Sequence, residues 1–204
     1  GLAAAFHAPL AGVLFSLEEI HKNFSVSVLV SVMTASITAD YISGEFLGFT
    51  SVFQFDIGQE VAPRYYWHIV ILGVLLGVMG AFYNKMTIWV QGLYFKAKGL
   101  NETTRLLIPF LLAGVLGLLL PEVLGSGHGL IDMAARGNMV LQSLAVLFAV
   151  KFLFSLICFG SGAPGGIFFP LLVLGALLGG MYSTFAVKYM GLEASSISTF
   201  VLLA

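Results

Sequence analysis

From Leu171 to Val187 the chain carries no charged residue, and this run opens directly out of a glycine-rich turn, Gly160-Ser161-Gly162-Ala163-Pro164-Gly165-Gly166-Ile167-Phe168-Phe169-Pro170. A helix that begins this way presents its first backbone N–H groups at membrane depth, and its dipole makes that end attractive to an anion. Glycines let a ligand approach the backbone closely, and Pro170, early in the helix, has no N–H that the first turn would miss. No Lys or Arg lies between Lys151 and Lys188. An anion held by amide dipoles alone is bound yet can still leave, which a conducting site requires.

The rest of the composition agrees with a bilayer setting. Only 9% of the 204 residues are charged and 59% are hydrophobic. Soluble domains carry roughly 25% charged residues, so this chain cannot clothe a water-facing surface. With 24 Gly and 6 Pro, it reads as an all-α, polytopic membrane protein with close helix contacts and interrupted helices. A net charge of -1 argues against a nucleic-acid partner. The single Cys158 forms no intrachain disulfide and reads as a small packing residue. Residues 1–17 lack the basic start of a signal peptide. The chain begins without Met and stops inside an apolar segment, and is expected to be a piece of a longer protein.

Apolar stretches run over 3–17 (broken by Pro9), 26–42, 65–95, 106–120, 140–159 and 167–187, and a last one starts near Ser195. At ~30 residues the third would rise about 45 Å, more than the ~30 Å hydrocarbon core, so it must tilt or break. Several others are shorter than the ~20 residues of a full span. Short, Gly/Pro-broken segments point to a transporter with a binding site near the midplane. Gly73, Gly77 and Gly80 line one helix face, as do Gly175 and Gly179, and are expected to pack against other helices. The loop 44–64 holds Glu45, Asp56, Glu60 and Arg64, whereas 96–105 holds Lys96, Lys98, Arg105 and Glu102. The basic loop is expected on the cytoplasmic side, and the glycine turn at 160–166 then opens toward the cytoplasm.

Few residues could carry chemistry. Glu18 and Glu19 close an otherwise apolar helix. Burial there would disfavour the charged form, so one of them could load and release protons. The alternative is an interfacial pair solvated by headgroups and offset by His21 and Lys22. Successive helical residues point ~100° apart, so only one of the two can face the interior. His7, His68 and His128 sit in different segments without metal-ligand spacing and are expected to be packing or interface residues. Ser161 could suggest an intramembrane serine hydrolase, but nothing ties a general base to it; shaping the turn is the simpler role. The loop Pro121-Glu122-Val123-Leu124-Gly125-Ser126-Gly127-His128-Gly129 lacks a P-loop lysine and reads as re-entrant or wall-forming.

Taken together, Gly162-Ala163-Pro164-Gly165-Gly166-Ile167-Phe168-Phe169-Pro170 resembles the G-x-F-x-P anion-binding motif of the CLC family of chloride channels and chloride/proton antiporters. The opening Gly1 to Glu19 is similar to that family's segment before its internal glutamate, and Gly125-Ser126-Gly127 falls in the matching order. The resemblance implies a CLC-type inverted-repeat helical bundle in part, residues 1–43 ending the first half and 64–204 forming most of the second. It implies a multi-pass protein of a bacterial plasma membrane, a homodimer in its full form, and a transporter rather than an enzyme. Chloride and protons are the partners implied, with no cofactor beyond the bound anion. Gly166, Ile167 and Phe168 would form the anion site, the amides of Ile167 and Phe168 holding the central chloride. Glu19 would transfer protons, which points to antiport; a passive anion channel is the alternative. The family's G-R-E-G-P segment and its late tyrosine have no counterpart in this chain; Gly160-Ser161-Gly162-Ala163-Pro164 is similar in letters to the family's G-S-G-I-P segment but is followed by the second-half motif, so Ser161 is not assigned the role of the family's serine ligand.

Overall fold

The structure, a computed structural model, describes residues 2–22, 24–48, 61–97, 99, 101–125, 127–137, 139–163 and 165–204. Asp56 and Glu60 of the acidic loop, Ser126 and Pro164 lie outside the described residues, as does the side chain of His128. Every regular element among the described residues is helical. The chain divides into two compact units, residues 1–54 and 55–204.

The first unit holds α1 (Leu2–Phe6), α2 (Pro9–Phe15) and α3 (Val26–Leu47). Pro9 opens α2, where a missing N–H costs nothing. The break before it is a left-handed His7, φ 49°, whose Nδ1 lies 2.9 Å from Asp40 Oδ1 on α3. Ser36 of α3 donates to Pro9 O at 2.8 Å. These polar ties hold the short helices to the long one.

The second unit contains α4 (Tyr66–Lys96), α5 (Glu102–Leu119), α6 (His128–Ala135), α7 (Leu141–Gly160), α8 (Phe168–Tyr189) and α9 (Ile197–Leu203). The long apolar stretch does not break. α4 runs 31 residues without interruption, a length of about 46 Å at 1.5 Å per residue, so it meets a bilayer by tilting. Pro121 ends α5 and starts a single 3₁₀ turn to Val123. The sequence reading did not anticipate α6, which is only 8 residues long.

Five described helices are long and apolar enough to cross a membrane: α3, α4 with the 3₁₀ turn before it, α5, α7 and α8. Half of the α8 window is buried, against 6–11% for α3, α4 and α5, which makes α8 the axis of its unit. It packs on α7, α9, α6 and α4. Near its C-terminal end Tyr182 and Ala186 meet Leu72, Leu192 and Phe200; nearer its start Leu174 meets Tyr83, Phe152 and Leu156.

Small residues divide into two kinds. A Cβ on Gly179 would come within 2.6 Å of Phe200 O, so α9 lies directly on α8. At Gly73, Gly77 and Gly80 no atom of the described residues lies within 4 Å of where a Cβ would stand. Among the described residues no helix packs directly on this face of α4, whereas the expectation of close packing holds at Gly179.

His68 is the packing histidine the sequence suggested. It is fully buried, and its Nδ1 lies 2.7 Å from Tyr182 Oη. The Trp67 ring lies against it, tilted by 31° with centroids 3.7 Å apart. Nε2 has no partner among the described residues. Tyr182→Phe is therefore expected to cost about 1–3 kcal/mol by leaving the buried imidazole without a partner. Adding His68→Phe should recover most of that loss, because the site becomes apolar throughout. Urea unfolding of the complete protein in mild detergent checks both, and a single variant as stable as wild type would contradict the first.

Candidate functional site

The glycine turn is built from two helix ends. α7 stops at Gly160, and left-handed Gly162, φ 82°, turns the chain away. Ser161 Oγ donates to Cys158 O at 2.6 Å and accepts from Ala163 N–H at 3.3 Å. Ser161 thus shapes the turn by tying the end of α7 rather than by capping α8. With its hydroxyl engaged in both directions on backbone, and a relative exposure of 6%, it is not presented as a nucleophile.

Beyond the turn, Ile167 precedes α8 and its carbonyl accepts the Leu171 N–H at 3.2 Å, the first bond of the helix. Pro170 is the third residue of α8 and so takes a place where an N–H would have no intrahelical acceptor. Among the described residues no group accepts a hydrogen bond from the N–H of Gly166 or of Ile167. Gly165, Gly166, Ile167 and Phe168 are all exposed within this chain. A Cβ on Gly166 would meet no atom of the described residues within 4 Å. The structure thus gathers Gly166, Ile167 and Phe168 at the positive end of a 22-residue helix, where the dipole favours negative charge. One turn further on, Leu171 and Leu174 line an apolar cleft with Leu76, Met79, Tyr83 and Phe152.

Glu19 belongs to the other unit. The helix expected to run through Glu18 and Glu19 widens instead: Ser16–His21 is a π-helical segment, closed by Lys22 N–H donating to Leu17 O at 3.0 Å. Left-handed Lys22, φ 53°, ends it. Such wide turns recur at functional sites because they re-aim side chains relative to an α-helix. Both carboxylates are exposed within this chain. Within the second unit, Arg64, in the 3₁₀ turn before α4, pairs with Glu193, beyond the end of α8.

Lys151 was passed over in the sequence, although a lone cation in the middle of α7 is itself a signal. It is 2% exposed and donates from Nζ to Val123 O at 2.7 Å and Gly125 O at 3.1 Å. The glycine loop at 121–129 therefore reaches the level of the middle of α7.

With this geometry in view, comparison with known proteins is specific. The family model described as voltage gated chloride channel matches residues 1–204. The H(+)/Cl(-) exchange transporter ClcA of Cronobacter sakazakii is 38% identical over 189 residues, covering 89% of this chain and 40% of that protein. The transporter of the same name from Yersinia pestis is 33% identical over 210 residues, covering 97% of this chain and 43% of the relative. The chain thus spans less than half the length of these relatives. A crystal structure of a slow cyanobacterial Cl-/H+ antiporter superimposes with a TM-score of 0.81 at 29% identity, over 97% of this chain and 48% of that one. The described helices and these matches place the chain in an integral, multi-pass membrane protein. Across residues 1–204 the chain belongs to the voltage gated chloride channel family.

Proposed function

We propose that the complete protein exchanges chloride for protons across a bacterial plasma membrane, with Gly166, Ile167 and Phe168 as its anion site and Glu19 as a proton-transfer residue. The observation that carries the anion site is the pair of backbone amides, Gly166 and Ile167, that have no acceptor among the described residues at the head of α8. Such donors are preorganised for a charge that moves, and they carry no formal charge that would trap it. Antiport is supported by the printed names of the relatives, which are exchange transporters. In this reading residues 1–43 end the first half of the family fold and 64–204 make most of the second, and two copies form the working dimer.

The π turn supports the role of Glu19 by placing a carboxylate where backbone geometry departs from the α-helix around it. Glu19→Gln keeps the shape of the side chain and removes its titration. It is expected to leave chloride flux through reconstituted full-length protein within a few-fold of wild type while uphill proton movement driven by a chloride gradient disappears. Proton transport that survives the substitution would remove Glu19 from the pathway. A wild-type protein that moves chloride without protons would establish the passive channel instead.

A further inference from the structure

Lys151 is the one charged residue of α7, and the ion pairs found among the described residues, His7 with Asp40 and Arg64 with Glu193, do not involve it. Its two acceptors explain its presence. Val123 ends a 3₁₀ turn and Gly125 is left-handed, φ 66°, so a regular helical ladder does not continue through these two residues. Among the described residues no backbone N–H reaches Val123 O or Gly125 O. Backbone carbonyls at membrane depth need donors from somewhere, and a compact ammonium with three N–H groups can serve two that do not lie in one plane.

The loop so held bears directly on α8. Gly127, φ 81°, sits so close to Val173 that a Cβ there would come within 2.7 Å of Val173 Cγ2. Val173 is fully buried in the second turn of α8. Gly127 O in turn accepts the N–H groups of Leu130 at 3.0 Å and Ile131 at 3.3 Å, which starts α6 along the same face of α8. One side chain thus joins α7, which feeds the glycine turn, to the loop that abuts the start of α8.

We infer that Lys151 is a positioning residue for the anion site: its ammonium pins the 121–127 loop against the first turns of α8, and so fixes where the Gly166 and Ile167 amides point. The inference rests on the anion site proposed above. Lys151 does not touch the anion in this account; it acts through Val123, Gly125, Gly127 and Val173.

The test uses the complete protein in detergent, with chloride binding followed by calorimetry and backbone opening by hydrogen–deuterium exchange. Lys151→Met keeps the apolar stem and removes the donors. It should speed exchange across residues 123–131 and weaken chloride binding, each by about tenfold, while residues 70–90 of α4 keep wild-type protection. Lys151→Arg, which retains donors, should restore much of both. Val173→Ala reaches the same contact without touching the lysine or the left-handed backbone of Gly127: by removing the methyls that Gly127 packs against it should weaken chloride binding, whereas Val173→Ile, which keeps both γ carbons, should bind within about threefold of wild type. This pair decides the matter if Lys151→Met does not fold. Weaker binding with unchanged loop exchange would overturn the inference, because the charge would then act through space. Faster loop exchange with unchanged binding would overturn it too. Unchanged binding in Gly166→Val would remove the anion site itself, and with it both the functional reading and this one.

Discussion

Replacing Gly166 with valine is expected to reduce chloride binding by at least about a hundredfold. Two backbone N–H groups, on Gly166 and Ile167, have no acceptor among the described residues. A hydrogen bond to a charged group contributes about 1.5–3 kcal/mol, so denying the anion both donors costs roughly 3–6 kcal/mol, and about 1.4 kcal/mol is tenfold in affinity. The mechanism is occlusion rather than misfolding. A Cβ at Gly166 would stand 4 Å or more from every described protein atom, and Gly166 is not among the left-handed glycines. A branched side chain is thus tolerated by the backbone but fills the approach to it. Calorimetric titration of the purified protein with chloride, beside its unfolding midpoint, separates the two. Retained affinity at unchanged stability would place the anion elsewhere.

The largest stability effect is expected at Gly179. Any side chain there drives its first carbon to 2.6 Å from both Phe200 O and Ala204 Cβ, and to 3.2 Å from Val201 Cα. Two of those atoms are backbone, so α9 has to move as a body. Forcing atoms into a packed seam costs about 1–3 kcal/mol for a methyl group and more for a branched side chain. Phe200, fully buried against Tyr182 and Leu72, would move with α9. Gly179→Ala should therefore lower the unfolding midpoint clearly, and Gly179→Val further. Gly77→Ala provides the contrast, because no atom of the described residues stands within 4 Å of its added carbon. It should leave stability within about 1 kcal/mol of wild type or raise it, since alanine is the better helix former. Equal losses at both positions would mean that the glycine face of α4 is packed against protein as tightly as α8 is.

Much of the helical layout was legible because lipid and water impose a coarse alternation. The stretch 140–159 became α7 at Leu141–Gly160, and 167–187 became α8 at Phe168–Tyr189. Glycine and proline mark both boundaries between them, so a residue or two is all that differs. Inside the first unit the same reasoning failed. Nothing in Ser16–His21 announces a π turn, because a wider turn leaves no distinct mark on so short an apolar pattern; the structure shows it ending at left-handed Lys22. The angle between Glu18 and Glu19 could not be taken from an α-helical wheel for that reason. Short α6 was missed because 8 residues hold too little periodicity to stand out.

Sequence alone determined that this chain lies in a bilayer and that a glycine turn separates two of its long helices, α7 and α8. Those properties follow from local composition: apolar runs must bury, and glycine and proline must break. Which glycines touch a neighbour, that His68 meets Tyr182, and that Lys151 serves two carbonyls of a distant loop were decided only in three dimensions. Lipid tails and neighbouring helices are equally apolar, so hydropathy places a residue in the membrane without naming the surface it faces. That choice is made by packing and by the need of each buried polar group for a partner, and both depend on residues far apart in the chain.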